Sequence, residues 1–508
     1  MVELFKHNTK IRMSALLSCS ASILLAACGG PVDPIGSAQL AQSTSSLSPT
    51  ALSAPPQQSN RSDAAAMPTA AEFVPAEADA TVAGADQAPA EFTISGYGGE
   101  GSPDQAAPNN PDVSGAAGGS ALPFGADAQA PAATDPAMPG ATRLLAASTF
   151  QLFATNLVPA TPYKLYVATT GNDSNPGTAD KPFKTIARAA TAVKPGTTVF
   201  VAPGTYAGGF KTTQSGTAAN RIYYVSTKLR AARIVPPSSS SNDTAWDNRG
   251  SYVDIIGFTI DGTKSGGGKK WTHGIYSGGS LVMIRKNHIH HIAKTAACTS
   301  AGGSAIGIDS YYRGVKSEVI ANMVNDIGPV GCRYIQGIYI STSGLVMNNI
   351  VYRVAEAGIH LWHDANNVVI ANNTVADSHT GIVVGGGDFY HTSSGAVNTH
   401  VVNNIVYDNA YGISEQGKTG KNNTYRNNLV YQNSTYNWSL KNGLSHSGTV
   451  TSAPLFEGYA TSGTPNFKLS RSSPAIGRGT SIFALPTDYN GKTRSYATGF
   501  DIGAYQAE

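Results

Sequence analysis

The sequence is poor in charge. Lys, Arg, Asp and Glu together make up 13% of its 508 residues, against about a quarter in ordinary soluble domains. The 35 basic and 32 acidic side chains leave a formal balance of +3. A balance so close to zero gives no basic face on which a nucleic acid could lie, so that partner class is set aside. Long apolar runs are missing as well. The stretch from Met13 to Ala27 is too short to span a bilayer stably. Cysteine is scarce, at four residues, so each can be accounted for singly.

What is present is a repeat. Gly-Ile pairs occur at Gly274-Ile275, Gly307-Ile308, Gly337-Ile338, Gly358-Ile359, Gly381-Ile382 and Gly412-Ile413, in steps of 33, 30, 21, 23 and 31 residues. An Asn-bearing apolar run follows each pair, at Asn287, Asn322, Asn348-Asn349, Asn372-Asn373, Asn403-Asn404 and Asn427-Asn428. The shortest step is too short for a helical or propeller-blade repeat. It fits one turn of a parallel β-solenoid whose longer steps carry loop insertions. Strand alternation then turns Ile338, Ile340, Ile359, Leu361, Ile382 and Val384 inward. The paired asparagines are expected to stack as ladders at a tight turn, bonding backbone groups of the next coil.

The start of the chain reads as an address. Lys6, Lys10 and Arg12 precede the apolar stretch, which ends in Leu25-Ala26-Ala27-Cys28-Gly29. That order resembles the lipobox of bacterial lipoproteins. The resemblance implies a signal peptide over 1–27, cleavage before Cys28 and lipid on its sulfur and new amino end. Gly29 does not match the Asp that retains lipoproteins at the inner membrane, so the outer membrane is the expected location, with the folded part periplasmic or at the cell surface. Residues 28–160 are rich in Ala, Pro, Ser and Gly without helix or strand periodicity. Such a composition cannot bury enough surface to offset ordering entropy, and it is expected to act as a flexible tether. Cys19 leaves with the signal, and Cys28 takes the lipid. Cys298 and Cys332 stand nine and five residues before Gly307 and Gly337. They fall at similar turns of successive coils, about 4.8 Å apart. In an oxidising compartment this predicts a disulfide, ahead of metal binding by two thiols.

The segments Gly171-Asn172-Asp173, Lys181-Pro182-Phe183-Lys184-Thr185-Ile186, Pro195-Gly196-Thr197-Thr198-Val199 and Pro203-Gly204-Thr205-Tyr206 read as strand, turn, short helix, strand. Ile186, Ala189, Ala190 and Val193 make one apolar face at helical spacing. A solenoid needs such a plug, because its first coil would otherwise expose core and strand edge. This block resembles the N-terminal cap of secreted right-handed parallel β-helix proteins of the pectate-lyase-like superfamily. The expectation is therefore an all-β, right-handed parallel β-helix over 161–455 with a short capping helix. Ser473 to Gly479, Asp488 to Gly491 and Asp501 to Tyr505 resemble the closing segment of such proteins. Residues 456–508 are accordingly expected to pack on the helix, with their aspartates structural.

If Ile at the second position of each pair points in, the next residue points out. That column reads Tyr276, Asp309, Tyr339, His360, Val383 and Ser414, and two places on it reads Gly278, Tyr311, Ser341, Trp362, Gly385 and Gln416. The densest coil holds His360, Trp362, His363 and Asp364, and later coils add Asp388, His391 and Glu415. A long groove lined by aromatics suits an extended acidic polysaccharide, sugars stacking on Tyr311, Tyr339 and Trp362, with Asp309, Asp364, Asp388 and His391 as further contacts. Many members of the resembled superfamily cleave or remodel uronate polymers. β-Elimination needs a base, a group that neutralises the carboxylate and an acid for the leaving oxygen. His360 or His363 suits the base, Tyr339 the acid, and Arg333 or Arg353 the carboxylate. Gly358 to Asp364 also resembles the Gly-Ile-Asp-Pro-His-Asp coil of mannuronan epimerases, with Trp362 in place of Pro and one residue inserted. The clustered aspartates and Lys or Arg base of calcium-dependent pectate lyases are not matched. Asp309, Asp364 and Asp388 leave a calcium site open. No Asp-Asp pair occurs, which ranks a polygalacturonase-type hydrolase lower. The sequence therefore predicts a monomeric, cell-surface polysaccharide lyase. A C5-epimerase or a glycan-binding or adhesion lipoprotein are the alternatives.

Overall fold

A computed structural model describes residues 160–238, 242–263 and 271–507. The expected signal, Cys28 and nearly all of the tether lie outside these residues. Among them all strands but two form three parallel sheets of eleven, nine and nine strands, called here the first, second and third, and Phe456–Gly458 pairs antiparallel with Asn466–Leu469 in the closing segment. One coil shows the plan: Gly344–Met347 lies in the first sheet, Ile350–Val354 in the second and Ala357–Leu361 in the third. The chain then returns to the first sheet as Val368–Ala371, one rung on and in parallel register with Gly344–Met347. Every such strand pairs only with its equivalents on neighbouring coils, which is a parallel β-helix.

From Val253–Ile256 on, the corner between the first and second sheets is two residues long. Its first residue is left-handed, with φ of 55° at Asn348, 54° at Asn372, 56° at Asn403 and 49° at Asn427. Asparagine tolerates that conformation better than most residues. The second residue turns its side chain into the core. Asn287, Asn322, Asn349, Asn373, Asn404 and Asn428 are fully buried and form one ladder. Asn349 Nδ2 donates to Asn373 Oδ1 at 2.9 Å and to the carbonyl of Val319 at 2.8 Å, and the pattern repeats to Asn428. The ladder thus uses only the second asparagine of each pair. The first faces outward and holds the end of the chain: Nδ2 of Asn348, Asn372, Asn403 and Asn427 donates to the carbonyls of Thr487, Asp501, Thr480 and Arg478.

Inside, Ile275, Ile306, Ile338, Ile359, Ile382 and Ile413 run in single file. The expected alignment of Gly-Ile pairs fails at one coil. Ile306, not Ile308, partners Ile275 and Ile338, while Ile308 lies beside Ser277 and Ile340. A two-residue slip keeps each side chain on its own face, so Ile308 is still buried. Gly307 takes the outward place beside Tyr339, and Asp309 moves on to the column of Ser341. Glu415 is a second correction. It is in register with Val384 and points inward, where Asn423 Nδ2 and the Tyr425 hydroxyl each donate to its Oε1 at 2.8 Å.

Helix α1, Ile186–Ala192, buries Ile186, Ala189 and Ala190. Thr185 caps it by accepting from Arg188 N, and Asp173 accepts from both the backbone and the hydroxyl of Thr185. At the other end Phe467, Leu485, Tyr489 and Ala504 pack on Met347, Ile350, Val369 and Val402, apolar residues on the outer faces of the first and second sheets. Asp488 and Asp501 accept backbone N–H groups within this closing segment. Cys298 and Cys332 are bonded, with Cα atoms 5.5 Å apart, and tie together successive connections that enter the third sheet.

Two measurements test this account. Asn373→Ala leaves the Val346 carbonyl and the Asn349 N–H without partners in the core. At about 1–3 kcal/mol for each stranded group, denaturant unfolding should show a loss of about 2–6 kcal/mol. Reducing the disulfide, whose ends are 34 residues apart, should lower stability by about 3–4 kcal/mol in the chain-entropy view, read as a fall in Tm in Cys298→Ala/Cys332→Ala.

Candidate active site

Most of the expected site residues lie on or beside the outer face of the third sheet. Lys211, Asp247, Tyr276, Gly307, Tyr339, His360, Val383 and Ser414 follow one another in register. The disulfide-tied connections flank one side of this column. Residues 309–316 and 387–395, which lead back to the first sheet, flank the other.

His360 is the centre of the candidate site. Its ring lies 5.4 Å from that of Tyr339 and 5.6 Å from that of Trp362, edge to face in both cases. Nδ1 and Nε2 are both buried, and neither has a hydrogen-bond partner. Burial, with a smaller push from His363, pulls its pKa down to about 3, so the ring is neutral over the physiological range. Burial acts the other way on Tyr339 and holds its hydroxyl protonated, well above the usual tyrosine range. Trp362 rests on a floor of glycines. A Cβ at Gly385 or Gly387 would come within 2.8 or 2.7 Å of the indole. Its Nε1 donates to Asp388 Oδ2 at 3.2 Å.

The remaining predicted residues divide sharply. His363 is committed on both ring nitrogens: Nδ1–H donates to the Asp388 carbonyl at 2.8 Å, and Nε2 accepts from the Tyr390 hydroxyl at 3.0 Å. The two rings stack at 4.2 Å. Asp364 is a loop clamp, accepting from the backbone of Tyr390, His391 and Thr392 and from the hydroxyls of Thr392 and Ser310. Asp309 accepts from the Tyr276 hydroxyl, Tyr311 N and Ser341 Oγ. His391 is exposed and donates from Nε2 to the Tyr311 carbonyl at 3.2 Å. Tyr311 is half-buried, its ring edge-on to Tyr312 and Tyr390. Arg333 is exposed and lies near the His379–Glu356 pair. Arg353 is engaged by Asp326 through two contacts of 2.9 Å. Neither arginine meets the His360 group, so the expected carboxylate clamp does not form there.

The three aspartates do not fit calcium. N–H and O–H donors already face the carboxylates of Asp309 and Asp364, and the Trp362 N–H faces that of Asp388. Among the described residues no three His, Cys, Asp or Glu side chains converge as a metal-holding set. Sequence reasoning missed Tyr390, which packs on His363, and Tyr276, which bonds Asp309. Tyr276 stood in the outward column and was legible there. Tyr390 lies on a loop whose return to the groove depends on Asp364, and no periodicity marks it.

Residues 165–314 match a family model described as "Pel9A-like, right handed beta helix region". The uncharacterized protein YwoF of Bacillus subtilis (strain 168) is 31% identical over 147 residues, which is 27% of this chain and 31% of that protein. The chain thus spans less than a third of that curated relative. Among solved structures, pectate lyase Pel9A aligns with a TM-score of 0.45 at 19% identity, over 69% of this chain and 97% of that one. A rhamnogalacturonan lyase aligns at 0.41 and 17% identity, over 65% and 99%. These are likenesses of fold alone. The coils after residue 314 continue the same three sheets without a break. The described body of this chain is therefore a parallel β-helix, and its residues 165–314 match the Pel9A-like, right-handed β-helix region.

Proposed function

We propose that this protein is a polysaccharide-active enzyme, and that it cleaves a uronate-containing chain by β-elimination on the outer face of the third sheet. The observation that carries the reading is His360, a neutral imidazole with two unpartnered nitrogens between two aromatic rings. Buried polar atoms without partners are rare in folded proteins and concentrate where function needs them. In the proposed reaction an imidazole nitrogen takes the proton from C5. The electron pair forms the C4–C5 double bond, and the C4–O bond breaks. The leaving oxygen takes its proton from the Tyr339 hydroxyl. Substrate reaches His360 when the Tyr339 or Trp362 ring swings aside, and Trp362 then offers its face to a sugar. Support for a polysaccharide substrate comes also from the matched region, described as like Pel9A, a protein named as a pectate lyase. A lipid anchor at Cys28 belongs to the same proposal, since it would hold such an enzyme where polymers are met.

The decisive assay incubates the mature protein with pectate, alginate and glycosaminoglycans, with calcium and with chelator, and follows absorbance of the unsaturated product. Product should form on at least one polymer. His360→Ala and Tyr339→Phe should each lower kcat by about 10²-fold or more with folding intact. Wild-type rate in His360→Ala, or binding without any new double bond, overturns the lyase reading. Altered C5 stereochemistry without cleavage would point instead to epimerisation.

The pH dependence has a definite sign. Because the folded His360 pKa is about 3, below its ordinary 6.5, the base stays deprotonated in mild acid. The acid limb of kcat/KM should fall near pH 3–4 rather than near 6.5, unless unfolding comes first. The same shift means that His360 withdraws stability as pH drops from 6.5 towards 3, where the unfolded chain binds the proton more readily. For the anchor, labelled palmitate should be incorporated into the full chain in a bacterial host and be lost in Cys28→Ser.

A further inference from the structure

The proposed groove does not end at Trp362. The next residue after Tyr311, Tyr312, is 40% exposed and yet firmly seated. Its ring lies against Gly278, where an added Cβ would come within 2.6 Å of Cδ2. The Arg249 guanidinium sits 3.8 Å from its centroid and 4.9 Å from that of Tyr276. Arg249 is itself fixed, its Nε 2.7 Å from Asp247 Oδ1, and Asp247 also meets Lys211 at 3.2 Å. Tyr311 braces Tyr312 edge-on at 5.0 Å. An exposed tyrosine normally keeps its rotamer freedom; this one has given it up to packing that no interior role requires.

Gly278 directly follows the strand His273–Ser277, whose Tyr276 heads the outward file that leads through Gly307 and Tyr339 to His360. Three rungs separate the coil of Ile275 from that of Ile359, about 14 Å at the usual spacing. Trp362, packed against Gly385 and Gly387, is a comparable device towards the other end of that interval: an aromatic ring seated where only glycine leaves it room. We propose that Tyr312 is a second sugar-stacking subsite, which binds the apolar face of a pyranose several units along the chain held at His360. The proposal rests on the groove being a glycan site and deepens it. The substrate is an extended polymer that must span about 14 Å or more, not a disaccharide. Arg249, 3.8 Å from the ring centroid, acts as a positioning residue that holds the ring in place.

The test is affinity gel electrophoresis of the folded protein through pectate, alginate and glycosaminoglycans, in a His360→Ala background to prevent turnover. Tyr312→Ala should weaken retardation by the bound polymer about tenfold, and Tyr312→Trp should restore it. Binding of a disaccharide of the same polymer should be unchanged. Retardation equal in Tyr312→Ala and its parent overturns this subsite while leaving the groove reading intact. If no polymer retards any variant and none is cleaved by the wild type, the groove reading itself falls, and the subsite with it.

Discussion

Everything in this molecule depends on one contact repeated: a backbone strand bonded to its equivalent one coil away. A parallel solenoid has no second hydrophobic layer to hold it, so the corners must be as regular as the strands. The asparagine ladder provides that regularity. Each amide both donates and accepts along the stack, and each also binds a carbonyl of the coil before it. Buried amides are expensive unless they are fully bonded, which makes the ladder intolerant of being one residue out of step. At the corner one coil before Asn287, which lacks asparagine, the Phe258 N–H still donates to Asn287 Oδ1, so the stack begins from backbone alone.

A fixed corner decides where variation is allowed. From Val253 on, the corner from the first to the second sheet is two residues long, whereas the connections into and out of the third sheet carry the insertions that make the steps unequal. Those insertions rise beside the third sheet, and the closing segment packs elsewhere, on the first and second. The open face is thus the one with loops around it. Burial beneath those loops neutralises His360 and holds Tyr339 protonated. The site is built less from charges than from the removal of water around two uncharged groups.

How much of this could be read from the sequence follows from the period of each signal. The fold was legible because Gly-Ile and Asn runs recur on the scale of a coil, and the disulfide because its cysteines hold equivalent positions. The slip at Ile306 was not, since an alternating strand looks the same two residues on; only the partner strand distinguishes Ile306 from Ile308. Glu415 was misplaced for a related reason. A charged residue was assumed to face out, and the bonds from Asn423 and Tyr425 that satisfy it inside come from residues eight and ten positions away. Of the histidine coil, composition marked His360 and His363 alike. What separates them is Tyr390, brought in by a loop that Asp364 folds back, and no local pattern could report that.

The left-handed asparagines have a consequence of another kind. Asn348, Asn372, Asn403 and Asn427 stand one per coil, and each grips a set carbonyl of the closing segment: Arg478 at the last, then Thr480, Thr487 at the first, and between them Asp501 at Asn372, from a later stretch of the same segment. The segment therefore works as a ruler. Coils can be duplicated or lost in the sheets with little local strain, because each new strand meets the same edge. Any such change between Asn348 and Asn427 would put the ruler out of step with its marks. The number of coils in this stretch is in that sense counted by the tail of the chain, and a repeat protein that could drift in length is held to one.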